Sequence, residues 1–353
     1  MKLNKKMYVL LFLILAIAII VPIIFSQPCF GRNPRGQRLE RVKQSLFYKD
    51  GQFQNEDTTI LMTGKSSFWD MITGRKKSKR LIPKEGEVPV IKNDLKHLPK
   101  DKDLYIWFGH SSFLLQLSGK TILVDPVFIA FSPVSFIGKA FPGTDIYKPE
   151  DMPDTIDYLV ISHDHYDHLD HKTVVALKDK VGKVVCPLGV GENFEYWGFA
   201  KEQIIELDCN ENYTADLVFR CLPTRHFSGR NLKRNTTQRA AWLIETPERK
   251  IFYSGDGGYG VRYKRFGNQF PDIDLAIMEN GQYDVNWSDI HTMPEELGKE
   301  VSELQPKRFV TVHHSKVALA NHAWDEPREN ERKAAAESGI PLIVCCIGEV
   351  VKL

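Results

Sequence analysis

The stretch SHDHYDHLD, residues 162–170, places three histidines and three aspartates in nine positions. It directly follows the apolar run 158–161, which is typical of a buried strand. A strand that ends in a turn can direct several side chains toward one point, and imidazole and carboxylate groups are ligands for zinc and similar divalent ions. The spacing His-x-His-x-Asp-His therefore predicts a metal site, with a solvated charged loop as the alternative. The candidate ligands are His163, His165, Asp167 and His168.

Further candidate ligands each lie just past another predicted strand, where a sheet delivers side chains to its edge. They are His226 after the run 217–222, Asp256 after 250–253 and His313 after 309–312. A lone histidine in such a position is more often structural. These residues, together with an intact His-x-His-x-Asp-His motif, instead favour a metal site assembled from distant parts of the chain.

Short apolar runs separated by turn residues dominate the chain from residue 104 onward, and this pattern is typical of strands. Strands are predicted at 104–108, 113–117, 121–124, 158–161, 183–185, 203–207, 217–222, 240–246, 250–254, 274–279, 308–312 and 342–345. Helices are predicted near 170–180, 294–304 and 326–338. Strand groups mixed with helices predict an α/β fold in which one sheet packs on another and helices cover the outer faces.

The composition is that of a globular protein, with 42% hydrophobic and 26% charged residues among 353. The formal net charge of +2 predicts no nucleic-acid partner. Residues 29–100 are polar, with scattered proline and lysine, and are predicted to form an extension that wraps the main domain, 101–353.

Residues 7–25 are almost wholly apolar and follow Lys2, Lys5 and Lys6. This is about the length that spans the hydrocarbon of a bilayer, so residues 1–28 are predicted to form a single-pass transmembrane anchor. A cleaved signal peptide has a similar layout and remains the alternative, although Pro28 disfavours cleavage. The leading lysines predict the main domain on the extracytoplasmic side, whereas the basic residues between 32 and 43 favour the reverse orientation.

Several blocks of the chain resemble the metallo-β-lactamase superfamily, and most closely its N-acyl-phosphatidylethanolamine phospholipase D family. The blocks are WFGHSSFLLQLSGKTILVDPVF (107–128), PTRHFSGR (223–230), YSGDGGYG (253–260), IHTMPEE (290–296) and ALANH (318–322), with CFGRNPRGQRLERVKQS (29–45) and DGQFQN (50–55) near the start. The resemblance covers most of the chain after residue 28. It implies an αββα sandwich that carries two zinc ions at one edge, with 101–353 as the hydrolase domain.

The resemblance also implies how the ligands divide between the two ions. His163, His165 and His226 would hold the first metal, and Asp167, His168 and His313 the second, with Asp256 bridging. His314 competes with His313, but alternation along a strand would place the two on opposite faces, and His313 occupies the family's position. Zinc is inferred from the ligand types, and iron or manganese would suit the same ligands.

The activity implied by the resemblance is zinc-dependent hydrolysis of N-acyl-phosphatidylethanolamine-like phospholipids by a hydroxide that bridges the metals. Asp167 would also orient the water, and His291 would contact the phosphate as a second catalytic residue. The alternatives are a lactonase or another hydrolase on the same fold, and a metal-binding scaffold without turnover.

Other residues are predicted to support this site. Asp125 and His110 would assist the ligands, with Asp125 accepting a hydrogen bond from a ligand histidine. A plain turn aspartate is the alternative for Asp125. Arg230 would pair with phosphate oxygens, and a surface ion pair is its alternative. The aromatic stretch 127–142 would line an acyl-chain groove or dip into a membrane, and packing on the core is its alternative. Its candidate substrate residues are Phe128, Phe131 and Phe136. A phospholipid and a membrane are thus the expected partners, and the oligomeric state stays open, with a homodimer among the options.

Overall fold

The computed structural model describes residues 5–64, 78, 80–133 and 138–353. The α-helices in these ranges are α1 (Lys5–Phe25), α2 (Gly36–Gln44), α3 (His171–Leu177), α4 (Gly191–Tyr196), α5 (Arg262–Gln269), α6 (Leu297–Leu304) and α7 (Glu326–Ser338). The strands are β1 (Tyr48–Lys49), β2 (Gln52–Phe53), β3 (Leu104–Trp107), β4 (Phe113–Leu117), β5 (Lys120–Val124), β6 (Ile156–Val160), β7 (Val181–Pro187), β8 (Ile204–Leu207), β9 (Asn212–Thr214), β10 (Val218–Pro223), β11 (Ala240–Glu245), β12 (Lys250–Tyr253), β13 (Leu275–Glu279), β14 (Phe309–Val312) and β15 (Val350–Lys352).

The first large sheet has the strand order β15-β3-β4-β5-β6-β7-β8. Its early strands pair antiparallel, and β4 and β5 form a tight hairpin. Ser118 and Gly119 make the turn, both with positive φ (47° and 75°), which matches the twist of the flanking strands. From β5 to β8 the strands pair in parallel, so their carboxyl ends meet at one edge.

The second large sheet has the order β14-β13-β12-β11-β10-β9. The strands β12, β13 and β14 pair in parallel, with Tyr253 beside Ile277 and Glu279 beside Val312. Parallel pairing brings the carboxyl ends of these strands to a common edge. Both sheets thus gather the loops that follow several strands, and these loops carry the candidate ligands.

The two sheets pack face to face, and the alternation of side chains along each strand fills both faces. In β3, Tyr105 and Trp107 point into the core between the sheets, where they join Trp242. Ile106 in the same strand points outward and packs under α3 and α4. The helices α5, α6 and α7 cover the outer face of the second sheet around Phe252. The predicted α/β sandwich with αββα layers is confirmed.

The predicted strand at 342–345 is wrong. Leu342 forms only an isolated bridge to Phe309, and the last strand is β15. The backbone N–H of Ile343 does bond to the Phe309 carbonyl, but Pro341 has no N–H to extend a ladder. The short helices α4 and α5 and the strand β9 were not predicted.

The N-terminal extension is fastened to the core by a buried ion-pair network. Arg38 of α2 donates from Nη1 to Glu192 of α4 at 2.7 Å and from Nε to Glu206 of β8 at 2.6 Å. The Phe53 N–H donates to the Asn235 carbonyl at 2.8 Å, which ties β2 to a loop of the main domain.

Helix α1 exposes large apolar side chains along its length, such as Phe12 and Leu15. Of the helices in the described ranges, none combines the length and the apolar character that crossing a bilayer requires. The predicted transmembrane anchor is therefore not supported.

Candidate metal centre

Three ring nitrogens converge beside the loop after β6. Two belong to histidines of that loop, and the third comes from a histidine of the second sheet. His163 Nε2 lies 2.9 Å from His165 Nδ1, and that atom lies 3.2 Å from His226 Nε2, which arrives from the loop after β10. The Ile290 carbonyl accepts from His226 Nδ1 at 2.7 Å, so the lone pair of Nε2 faces the other two rings. Three converging imidazole nitrogens form a ligand set for a divalent cation.

A second group lies beside the first. Its ligand atoms come within 4.8 Å of one another and belong to His110, Asp167, His168 and His313. Asp167 Oδ2 is 2.9 Å from His110 Nε2 and 3.7 Å from His168 Nε2. The structure thus brings Asp167, His168 and His313 together as predicted, and it adds His110 to them.

Asp256 stands between the two groups. Its Oδ2 is 3.1 Å from His168 Nε2 and 4.0 Å from both His163 Nε2 and His226 Nε2. Its Oδ1 is 3.3 Å from His313 Nδ1. One carboxylate therefore faces nitrogens of both ligand groups, which is the position of a bridging ligand.

The chemistry of these side chains fits divalent metal ions. Among the described residues, His168 Nε2 and Asp256 Oδ1 are buried and make no hydrogen bond of regular geometry. Buried polar atoms rarely lack partners unless a bound species satisfies them. Imidazole nitrogens and carboxylate oxygens suit zinc, iron or manganese, so two ions of this class fit the two groups.

Burial sets the protonation of most of these histidines. It lowers the pKa of His165 to about 3 and holds the pKa of His163, His226 and His313 well below the usual value. These rings are therefore neutral and offer lone pairs, which is the form that binds metals. For His168 burial acts in the same direction, but the charges of Asp256 and Asp167 outweigh it and raise the pKa.

Asp125 orients His168 of the second group through a hydrogen bond to the ring nitrogen that faces away from the other ligands. It follows β5 in a left-handed backbone conformation, with φ of 41°. Its Oδ2 accepts hydrogen bonds from His168 Nδ1 at 2.8 Å and from the Tyr253 hydroxyl at 2.7 Å. Its Oδ1 accepts from the Ser162 N–H at 2.8 Å. The contact predicted between Asp125 and a ligand histidine is present.

His313 and His314 point to different places. His313 has φ of 73°, and β14 already ends at Val312, so a left-handed residue rather than strand alternation separates the two side chains. His314 shares hydrogen bonds with Thr311 and Ser315 and packs on the Trp107 ring, with centroids 4.8 Å apart. Only His313 joins the candidate ligands.

Arg230, predicted to pair with phosphate oxygens, makes most of its hydrogen bonds to backbone carbonyls. Its guanidinium is buried and donates to the carbonyls of Cys29, Asp164 and Leu169 at 2.6 to 3.1 Å. These bonds use four of the five guanidinium N–H groups, so Arg230 braces the metal loop (residues 162–170) against the N-terminal extension. Arg230 also lines a cavity beside this loop.

The predicted aromatic substrate residues fall into different environments. Phe128 packs against Phe108 in the outer core, with ring centroids 5.4 Å apart. Phe131 lies edge-on to the His110 ring at 5.8 Å, and both phenylalanines line a cavity of about 460 Å³. Phe136 lies outside the described residues. None of the predicted metal ligands lines this cavity, but Tyr166 of the metal loop does.

Glu279 is the residue of this centre that the sequence analysis missed. It ends β13, is fully buried and accepts a short hydrogen bond from His291 Nδ1. Its ligand atoms lie within 4.8 Å of those of Asp256, His291 and His313. The sequence does contain a pattern that indicates Glu279, because this residue ends an apolar run just as the other candidate ligands follow one.

Comparison with known proteins places the chain in a family. A family model described as the beta-lactamase superfamily domain matches residues 120–314. An uncharacterised protein of Mycobacterium tuberculosis (strain ATCC 25618 / H37Rv) is 34% identical over 320 residues, covering 88% of this chain and 85% of that protein. The N-acyl-phosphatidylethanolamine-hydrolyzing phospholipase D 1 of Caenorhabditis elegans is 29% identical over 63% of this chain and 67% of its own length.

A solved structure shares the fold. The chain is similar to CmlA, a diiron β-hydroxylase from Streptomyces venezuelae, with a TM-score of 0.56 and 18% identity over 72% of this chain and 55% of that one. The sequence-based assignment to a superfamily is thus confirmed. With a family match that runs from the start of β5 to the residue after His313, this chain belongs to the metallo-β-lactamase superfamily.

Proposed function

We propose that this metal-dependent hydrolase cleaves N-acyl-phosphatidylethanolamine-like phospholipids in the manner of a phospholipase D, releasing phosphatidate. The observation that carries the proposal is the Asp256 carboxylate, which faces ligand nitrogens of both groups. Paired metal sites of this kind are common in enzymes that hydrolyse phosphate esters, because two ions can stabilise the attacking and the leaving oxygen.

Bound at these two groups, divalent ions would acidify water and offset the negative charge that builds on phosphoryl oxygens. The side chains around them have separate tasks. Asp167, whose side chain is 15% exposed, orients the attacking water from the second group. His291, 12% exposed, gives Nδ1 to Glu279, so Nε2 is the atom left to accept a proton from the attacking water.

A lipid substrate is supported by the relative from Caenorhabditis elegans and by the cavity beside His110. The cavity wall combines Phe131 and Phe141 with the exposed cations Lys139 and Lys172. Apolar walls suit acyl chains, and cations at a rim suit a phosphate group. This mixture favours a phospholipid over a small polar diester.

The test is turnover of N-acyl-phosphatidylethanolamine in mixed micelles, with product identification by mass spectrometry and metal content measured on the same sample. The expected result is phosphatidate and an N-acylethanolamine, lost on chelation and restored by added zinc, iron or manganese. Robust hydrolysis of an acyl lactone without phosphodiester cleavage would instead identify a lactonase. Tightly bound metal with turnover of neither substrate would identify a scaffold.

Helix α1 is proposed to bind a bilayer surface and to hold the metal centre near its substrate. Its exposed apolar side chains favour transfer from water to the apolar part of a bilayer. The end of the helix connects to the metal loop through aromatic contacts. The Phe25 and Phe30 ring centroids are 4.8 Å apart, and Phe30 lies 6.2 Å from Tyr166.

The double substitution Phe12→Asp with Ile19→Asp is expected to remove most co-flotation with phospholipid vesicles. Each charge at an apolar membrane contact costs about 2 to 3 kcal/mol, which predicts at least about a thousandfold weaker binding for the pair. Turnover of a water-soluble diester should stay unchanged. Val344→Asp, at a similarly exposed residue of the main domain, is the matched control and should float like the wild type. Equal flotation of the double variant would rule out α1 as the contact.

A further inference from the structure

Glu279 occupies an unusual position for a charged residue. It is fully buried at the end of β13, and the salt bridges of the described residues pair it with no lysine or arginine. Its Oε2 accepts from the Gly257 N–H at 2.8 Å, and its Oε1 accepts from His291 Nδ1. A buried carboxylate is costly unless its oxygens are bonded, so these contacts fix it firmly.

The ring of His291 is consequently held in one orientation. Its plane lies nearly parallel to that of His313, at 21° with centroids 5.5 Å apart, and it meets His226 edge-on at 5.0 Å. Among the hydrogen bonds of the described residues, the ring uses Nδ1 alone. Nε2 is thus the nitrogen left for a reacting group at the centre.

We propose that Glu279 is a positioning residue that fixes the Nδ1-protonated form and the orientation of His291, so that the unprotonated Nε2 can accept a proton from the water that attacks the phosphoryl group. The role of His291 at that group rests on the proposed function, whereas the pairing with Glu279 rests on contacts between these two side chains. A carboxylate that bonds one imidazole nitrogen sets which tautomer the ring adopts, as it does for ligand and catalytic histidines in general.

Glu279→Gln tests the proposal sharply because the amide has one acceptor and one donor. The glutamine oxygen can keep the Gly257 N–H, which leaves the NH2 group facing His291 Nδ1. A donor at that place favours Nδ1 as an acceptor and moves the ring proton to Nε2. The substitution therefore preserves shape and the loop of Asp256 while reversing the tautomer.

The matched control is Glu300→Gln. Glu300 is also fully buried, lies 3.2 Å from Thr292 Oγ1 and does not touch His291. Burial raises the pKa of its carboxyl well above the usual value, so the amide replaces a group whose charged form burial disfavours.

Three measurements are made on wild type and both variants. The first is the 15N spectrum of the His291 ring in metal-free protein, assigned with His291→Asn. The second is metal content after loading with zinc, and the third is kcat and KM for bis(p-nitrophenyl) phosphate. We expect Glu279→Gln to shift the ring proton from Nδ1 to Nε2, to bind zinc as wild type does, and to lower kcat about 10- to 100-fold with KM changed less than about threefold. Glu300→Gln should match wild type in all three.

An unchanged tautomer in Glu279→Gln would overturn the proposal, as would a reversed tautomer with wild-type kcat. A fall in kcat that merely followed lost zinc would do the same, because it would assign Glu279 to the metal site itself. If the wild type cleaves no phosphodiester, the proposed function fails. The ring spectrum of metal-free protein then still decides whether Glu279 sets the form of His291.

Discussion

Asp167→Asn is expected to lower phosphodiester turnover by about a thousandfold. The carboxylate is the acidic member of the second ligand group, and the amide removes its negative charge while keeping its shape. Burial raises the pKa of Asp167, but the charges of His168 and His110 and the hydrogen bond from His110 lower it further, to well below its usual range. Asp167 is therefore ionised at neutral pH. The measurement is kcat on a phosphodiester together with zinc content. Activity at full strength would mean that Asp167 takes no part in the reaction.

Asp164→Asn provides the matched control from the same nine-residue stretch. Asp164 is buried, and its Oδ1 accepts from the Gly229 N–H at 2.7 Å while its Oδ2 accepts from the Thr237 hydroxyl at 2.9 Å. An asparagine retains one of these bonds, so a stability loss of about 1 to 3 kcal/mol is expected. Zinc content per folded molecule should remain that of the wild type, in contrast to Asp167→Asn.

Arg38→Met is expected to lower the free energy of unfolding by about 3 to 5 kcal/mol, the largest stability effect predicted here. The Arg38 side chain is only 10% exposed, and Glu206, also 10% exposed, loses its cation when the guanidinium is removed. Glu192 then keeps only its contact with Arg35. Methionine retains the apolar stem, so the measured loss reports the uncompensated carboxylates. Denaturant titration measures the change.

Arg35→Met is the matched control for Arg38→Met, because it removes an exposed charge that pairs with the same carboxylate. Arg35 pairs with the same Glu192 at 2.9 Å, but its side chain is 68% exposed. Exposed ion pairs contribute about 0 to 1 kcal/mol, so this variant should unfold nearly as the wild type does. If Arg38→Met lost as little unfolding free energy as Arg35→Met, the network would not fasten α2 to the core.

The sequence was informative wherever a strand end and a ligand are neighbours in the chain. His226, Asp256 and His313 each follow an apolar run, so periodicity and residue type together located them. Glu279 obeys the same rule, but its partner His291 lies 12 residues further along, in a loop without regular pattern. The pairing depends on a tertiary contact that local sequence does not encode.

Arg230 and Phe128 show what else local sequence does not encode. The acceptors of Arg230 are backbone carbonyls, which every residue carries, so no sequence pattern identifies them. Phe128 stands in the aromatic stretch 127–142, where its ring packs against Phe108, as the alternative of core packing expected, and also lines the cavity beside His110. Local composition indicated apolar character correctly in that stretch but could not tell which neighbour would cover each side chain.

The candidate ligands come from both sheets of the sandwich. His163, His165, Asp167 and His168 follow β6 of the first sheet, whereas His226, Asp256 and His313 follow β10, β12 and β14 of the second. Ion binding and cohesion of the two sheets are therefore one linked equilibrium. A ligand present at a thousand times its Kd stabilises the folded state by about 4 kcal/mol, comparable to the whole Arg38 network. The resistance of this protein to unfolding should accordingly rise and fall with the free metal concentration around it.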